Sequence, residues 1–255
     1  MVALFPVMND SGQPPRNAAG DREFCTTHWS VVFLAGQDES PAAATALEQL
    51  CRTYWYPLYA YARRQGHSPP DGEDLTQQFF AAFLEKKYFS LADRDRGRFR
   101  SFLLASFKHF LANEYHRSQT AKRGGRCSIV SWDAADTEER YRQEPASETS
   151  PDKLFARTWA LLLLDKVMKD LAQEFARAGK EQIFDALQVF LSGEKSAASY
   201  AEIGANLQMG ESAIKMAVSR LRQRYGEKLR NEIAQTLTGD TSVEDELRHL
   251  ISALG

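Results

Sequence analysis

The sequence predicts an all-α protein made of two helical domains joined by a flexible linker. Three observations carry that expectation. Apolar residues recur at three- and four-residue intervals through most of the chain, the spacing of one helix face. No strand-period alternation persists anywhere. Between two such helical blocks, residues 126–150 turn to Ser, Asp, Glu, Thr and Pro. Their apolar content hardly goes beyond Ile129, Val130, Trp132 and Tyr141, as in an interdomain linker.

The elements follow in chain order. Residues 1–22 carry Asn9, Asp10, Ser11, Gly12, Pro14 and Pro15 and read as a flexible lead. A first domain is expected over 23–125. Its first helix runs from Pro41 to about Gln65, with Leu47, Leu50, Tyr54, Leu58 and Tyr61 on one side and Pro57 expected to kink it. Ser68-Pro-Pro-Asp-Gly72 breaks the chain, and a second helix from about Gly72 to Lys87 buries Leu75, Phe79, Phe80 and Phe83. A basic loop, Ala92-Asp-Arg-Asp-Arg-Gly-Arg98, leads into a third helix from about Phe99 to Arg117, before Lys122-Arg-Gly-Gly125. The second domain, over 151–235, opens on a long helix carrying Leu154, Phe155, Trp159, Leu161, Leu162, Leu164, Val167, Met168 and Leu171. Another helix covers about Lys180–Leu191. Residues 236–255 form a C-terminal extension with a short amphipathic helix, Val243 to Ile251.

The most informative stretch is Ser199–Tyr225. Ser199 and Glu202 form an S-x-x-E capping box that starts a short helix. Ile203 and Leu207 face inward, Gly204 is small enough for close approach of a neighbouring helix, and Met209-Gly210 is expected to supply a turn. Ile214, Val218 and Leu221 then give a second helix one buried stripe. Lys215, Met216, Ser219, Arg220 and Arg222 are left outward, types that reach phosphates and base edges from a major groove. This pattern predicts a helix-turn-helix. A plain helical hairpin with a basic face would share it, so the rest of the chain must decide.

The chain has 255 residues with 32 basic and 34 acidic ones, so any affinity for nucleic acid must come from local clustering. Residues 94–126 hold nine basic residues (Arg94, Arg96, Arg98, Arg100, Lys108, Arg117, Lys122, Arg123 and Arg126) against Asp95 and Glu114. Residues 212–230 hold six (Lys215, Arg220, Arg222, Arg224, Lys228 and Arg230) against Glu227. Two such windows suggest two footprints on one polyanion. Cys25, Cys51 and Cys127 are odd in number and far apart, giving no disulfide framework, and nothing completes a metal site at Cys25-x-x-His28. No cofactor or metal is expected. The start lacks a signal peptide and no apolar run could span a bilayer, so the cytoplasm is the expected compartment and no membrane partner is expected.

The window before 126 interleaves its charges with aromatics: Phe99, Phe102, Phe107, Phe110 and Tyr115 stand among Arg98, Arg100, Lys108, His109, His116 and Arg117. Phe102 and Phe110 are expected in the core. The exposed remainder suits a surface that tracks a backbone and stacks unpaired bases. His67, His109 and His116 have no nucleophile, metal-spaced partner or phosphate-binding glycine loop beside them, so no enzyme and no small-molecule substrate are expected.

Two helical nucleic-acid-binding domains on a tether resemble the bacterial extracytoplasmic-function (ECF) sigma factors, and the resemblance runs from about Thr26 to Gln235. Asp74-Leu-Thr-Gln-Gln-Phe-Phe80 resembles the family's polymerase-docking helix. Phe102–Asn113, with Arg117 after it, resembles the promoter-melting helix, and Tyr200-Ala-Glu-Ile-Gly204 with Ala213–Arg222 resembles the reader of the minus-thirty-five element. Thr27-His-Trp-Ser30, Tyr54–Tyr59, Gly97–Phe102 and Lys122–Gly125 resemble an ECF-like subgroup. Departures stand at Gln78, where a Glu is usual, at Phe102 for Trp, at His109 and Asn113 for Asn and Asp, and at Ser212-Ala213 and Met216-Ala217.

The resemblance implies a specificity subunit for core RNA polymerase and promoter DNA, with an anti-sigma factor as a further candidate partner. It implies polymerase binding through Asp74, Gln77 and Gln78, and minus-ten binding and melting through Arg94, Arg96, Arg98, Arg100, Lys108, His109, Asn113 and Arg117. Glu211, Ser212, Lys215, Met216, Ser219, Arg220 and Arg222 would contact the upstream element. The competing expectation is a free-standing helix-turn-helix regulator that dimerises through the Trp159–Leu171 helix.

Overall fold

A computed structural model describes residues 31–32, 34, 40–85, 98–120, 134–144, 150–191, 199–237 and 242–255. Among these the regular structure is entirely helical, as the sequence predicts. The chain divides into two compact units between Trp159 and Ala160.

In the first unit, α1 (Pro41–Arg64) starts where Ser40 accepts a hydrogen bond from the Ala43 amide at 3.0 Å, with proline in the first turn. The sequence suggested one apolar side, but every residue from Thr53 to Ala62 is buried. Neighbours surround this stretch. Trp55 stacks on Phe80 of α2 (Pro69–Glu85), with ring centroids 6.0 Å apart. Tyr61 meets Phe107 of α3 (Phe99–Thr120) edge-on at 6.0 Å. Tyr59 meets Tyr141 of α4 (Ala134–Arg142) at 6.4 Å, and Tyr54 stacks on Phe155 of α5 (Pro151–Arg177) at 6.5 Å. A helix apolar all round belongs at the centre of its unit. Pro57 lies inside it without ending it.

Two expectations need correction here. Residues 126–150 are not tether throughout, because 134–142 form α4, which docks on α1 through paired charges. The first turns of α5 belong with the first unit, since Leu154 joins Tyr56, Tyr59 and Ala60 in one apolar cluster.

The second unit takes α5 from Ala160, α6 (Glu181–Leu187) with a 3-10 turn (Gln188–Phe190), α7 (Tyr200–Asn206), α8 (Glu211–Thr236) and α9 (Val243–Leu254). Leu171, Phe184, Leu187, Ile203, Ile214, Val218 and Leu221 make its core. In the run Leu161–Leu164 the buried residue is Leu163, which keeps four-residue spacing with Val167 and Leu171, while Leu161 is exposed. Lys166 ties α5 to α8 by reaching Glu232 at 3.2 Å, and also bonds Asp170. Burial opposes its charge, but these two carboxylates raise its pKa. Helix α9 is capped by Ser242, buries Leu250 and Glu246, and pairs Glu244 with Arg230 of α8 at 3.0 Å. No helix among the described residues is long and apolar enough to cross a membrane.

Candidate nucleic-acid interface

The hairpin in the second unit is built as its sequence suggests. The Ser199 amide donates to the Glu202 carboxylate at 2.7 Å, and the Glu202 amide donates to the Ser199 hydroxyl at 3.2 Å, closing the capping box. Those bonds from Ser199 hold the Glu202 carboxyl below its usual pKa. Gly204 is buried, and a Cβ there would stand 2.6 Å from the Met209 carbonyl oxygen and 3.5 Å from Ile214 Cγ1. Only glycine lets α7 approach the start of α8 this closely. The turn itself differs from expectation. Gln208, with φ 55°, is the left-handed residue, while Gly210 is extended at φ −68° and serves as N-cap of α8.

Helix α8 then buries Ile214, Val218 and Leu221. On its far side Glu211, Ser212, Lys215, Met216, Ser219 and Arg220 are exposed, Met216 by 56%. The charges are less free than their number suggests. Lys215 pairs with Glu211 at 2.7 Å, a contact that raises the lysine pKa. Arg222 donates two bonds to the Phe190 carbonyl oxygen, at 3.1 and 3.2 Å, so it braces the 3-10 turn. Arg224 and Lys228 both engage Glu174 of α5, and Arg230 engages Glu244. Arg220 alone in this window has no hydrogen bond or ion pair among the described residues.

Lys122, Arg123 and Arg126 lie outside the described residues, and the basic residues described in the first unit differ in their surroundings. Arg94 and Arg96 lie outside the described residues, and Arg98 is half-buried. Arg100 corrects the expectation. It is buried, with its guanidinium 4.4 Å above the Trp159 ring, so it serves the core. Lys108 is exposed but pairs with Asp152 of α5. Arg117 pairs with Glu114 at 2.7 Å. His109 and Asn113 are exposed beside them, as is Tyr115 at 63%. Phe107 is buried, whereas Phe102 and Phe110 are only half-buried, touching Phe83 and Phe79 at 6.2 and 5.7 Å.

On α2, Asp74 and Gln78 share the exposed face. Gln77 turns partly inward, and its amide nitrogen is shielded from solvent without an acceptor among the described residues. No family model, curated protein or solved structure matches the chain.

Sequence reasoning passed over a polar cluster between α4 and α1. Glu138 accepts from Arg63 Nε at 3.0 Å, from Arg63 Nη2 at 2.9 Å and from the Tyr59 hydroxyl at 2.5 Å. Glu144 accepts from the Tyr56 hydroxyl at 3.0 Å and from Arg157 at 2.7 Å. Arg140 lies 3.9 Å above the Tyr56 ring. The Arg63 bonds hold the Glu138 carboxyl low, while burial pushes the Tyr56 and Tyr59 hydroxyls up. A signal was present in the helix-forming run Ala134–Arg142, where Glu138 and Arg142 stand four apart. Among the described residues no cluster of His, Cys, Asp and Glu could hold a metal ion, and burial pushes the Cys51 thiol up to about 12.

Proposed function

We propose that the protein is a promoter-specificity subunit of the ECF sigma type, which binds core RNA polymerase and places its second unit on promoter DNA. The observation that carries the reading is the outward face of α8. Met216, Ser219 and Arg220 stand exposed opposite the buried Ile214, Val218 and Leu221, on a helix that follows a capped first helix and a glycine-tight turn. That is the form in which a recognition helix enters a major groove. The exposed Asp74 and Gln78 offer a docking face on α2, and His109, Asn113, Tyr115 and Arg117 offer one that stacks and tracks a single strand. The protein itself carries out no chemistry in this reading. Phosphate contacts set the register and base contacts select the site.

Reconstitution tests it. Core polymerase with the full chain on supercoiled DNA should give promoter-dependent transcription, which core polymerase alone does not. Arg220→Ala should lose about 1–3 kcal/mol of upstream contact while still co-purifying with core polymerase. Gln78→Lys should impair co-purification instead. Transcription that is indifferent to the chain refutes the proposal. A free-standing dimeric regulator is the weaker reading, because Trp159, Leu163, Val167 and Leu171 of the expected dimer helix are buried within the chain and Leu161 is its one exposed large apolar residue.

A further inference from the structure

We propose that Met216 selects a thymine in the major groove by covering its C5-methyl group, within two base pairs of a guanine held by Arg220. The inference rests on the promoter-binding reading above and deepens it.

Met216 is 56% exposed, a large apolar side chain among Ser212, Lys215, Ser219 and Arg220. At about 100° per residue it projects almost opposite the mean direction of Ile214, Val218 and Leu221, at the centre of the outward face. It therefore adds nothing to the core. A single exposed apolar side chain is ordinary on a protein surface, but on a face that meets base edges the flexible thioether of Met216 gains from covering an apolar group. In a major groove, thymine's methyl is the one apolar group that a base edge presents. Arg220 lies one turn further along the same face and is free of internal partners among the described residues, so its guanidinium can take O6 and N7 of guanine together. Side chains four apart on a helix are about 5–6 Å apart at Cβ. Base pairs rise about 3.4 Å per step, so the two readers span one or two steps. Lys215 pairs with Glu211 and Arg222 bonds the Phe190 carbonyl oxygen, whereas Arg220 needs to give up no internal partner among the described residues to make that contact.

The test uses duplexes selected from a random pool by the full-length chain together with core polymerase. Each thymine of the selected upstream site is replaced by deoxyuridine, which removes only the methyl. One replacement should weaken binding about fourfold, the worth of one buried methyl group. That loss should vanish in Met216→Ala and in Met216→Gln, two substitutions at an exposed position. Replacing guanine by 7-deazaguanine should locate the Arg220 contact within two base pairs of that thymine. If a site is selected but every deoxyuridine is neutral, this inference fails and the promoter reading stands. A sensitive thymine that stays sensitive in Met216→Ala, or lies further from the guanine, also overturns it. If no duplex is enriched at all, both readings fail.

Discussion

Replacing Glu138 with glutamine should release α4 from the first unit. The carboxylate accepts three hydrogen bonds, two from Arg63 and one from Tyr59, and the side chains of the Arg63–Glu138 pair are only 16% and 14% exposed. A glutamine keeps the shape but removes the charge and turns an amide toward the guanidinium. Hydrogen bonds to charged groups are worth about 1.5–3 kcal/mol, and breaking one side of a buried pair costs about 3–5 kcal/mol. The lower range applies here, because α4 is a nine-residue helix that can lift off and rehydrate Arg63. A cost of about 2 kcal/mol corresponds to a roughly 30-fold larger opening constant. Hydrogen exchange read by mass spectrometry on peptides spanning 137–144 should show that acceleration, with peptides of α7 as internal reference. Arg63→Met should produce a similar loss, and the double variant should lose less than the sum of the two. Protection of 137–144 that is unchanged in Glu138→Gln would refute the account of how α4 docks.

Acid should act on the same contact. The folded pKa of Glu138 is depressed, so its contribution is complete above the unfolded value of about 4.3 and is lost as pH falls through the lower folded value. Glu73 acts oppositely, because burial, then Asp74 and Glu138, raise its pKa, so stability should rise slightly on mild acidification before the protection factors of α4, taken against intrinsic exchange at each pH, decline below about pH 4. Protection factors of 137–144 that fall steadily from neutral pH downward would contradict this. Gly204→Ala should cost the second unit about 1–3 kcal/mol, since its new methyl meets the Met209 carbonyl, and thermal melting should show it. Leu163→Ala should cost about 2–5 kcal/mol and Leu161→Ala under about 0.5 kcal/mol in denaturant titrations; equal losses would contradict the burial.

Local chemistry was the legible part of the sequence. The capping box at Ser199 and Glu202, the close approach at Gly204 and the stripe Ile214–Val218–Leu221 depend on residues within a few positions of one another, and they form as spacing requires. Partners distant in sequence were not legible. Arg100 looked like surface charge until Trp159 covered it, and Glu138 looked like linker charge until Arg63 and Tyr59, at sequence separations of 75 and 79, met it. Charge counting failed on the α8 window for the same reason, since Glu174 and Glu244 lie outside it. The turn was expected at Met209-Gly210, the glycine-bearing pair, whereas Gln208 takes the left-handed conformation and Gly210 is the extended N-cap of α8. Among four consecutive leucines, only the registers of Val167 and Leu171 single out Leu163.

The engagement of Arg222 by the Phe190 carbonyl, with the other internal pairs along α8, bears on how this helix would respond to salt. A protein that neutralises phosphates releases condensed counterions, and its binding constant falls on a double-logarithmic plot with a slope of about −0.9 per phosphate. Six cations freely offered would give a steep dependence. Arg220, the one of the six without an internal partner among the described residues, would alone contribute a slope of about −1 if the other pairs persist on the duplex. Its hold on a duplex would then be modest in dilute buffer yet little weaker at physiological ionic strength. Discrimination between sequences would rest on the shape of a small contact and not on a general attraction for polyanions.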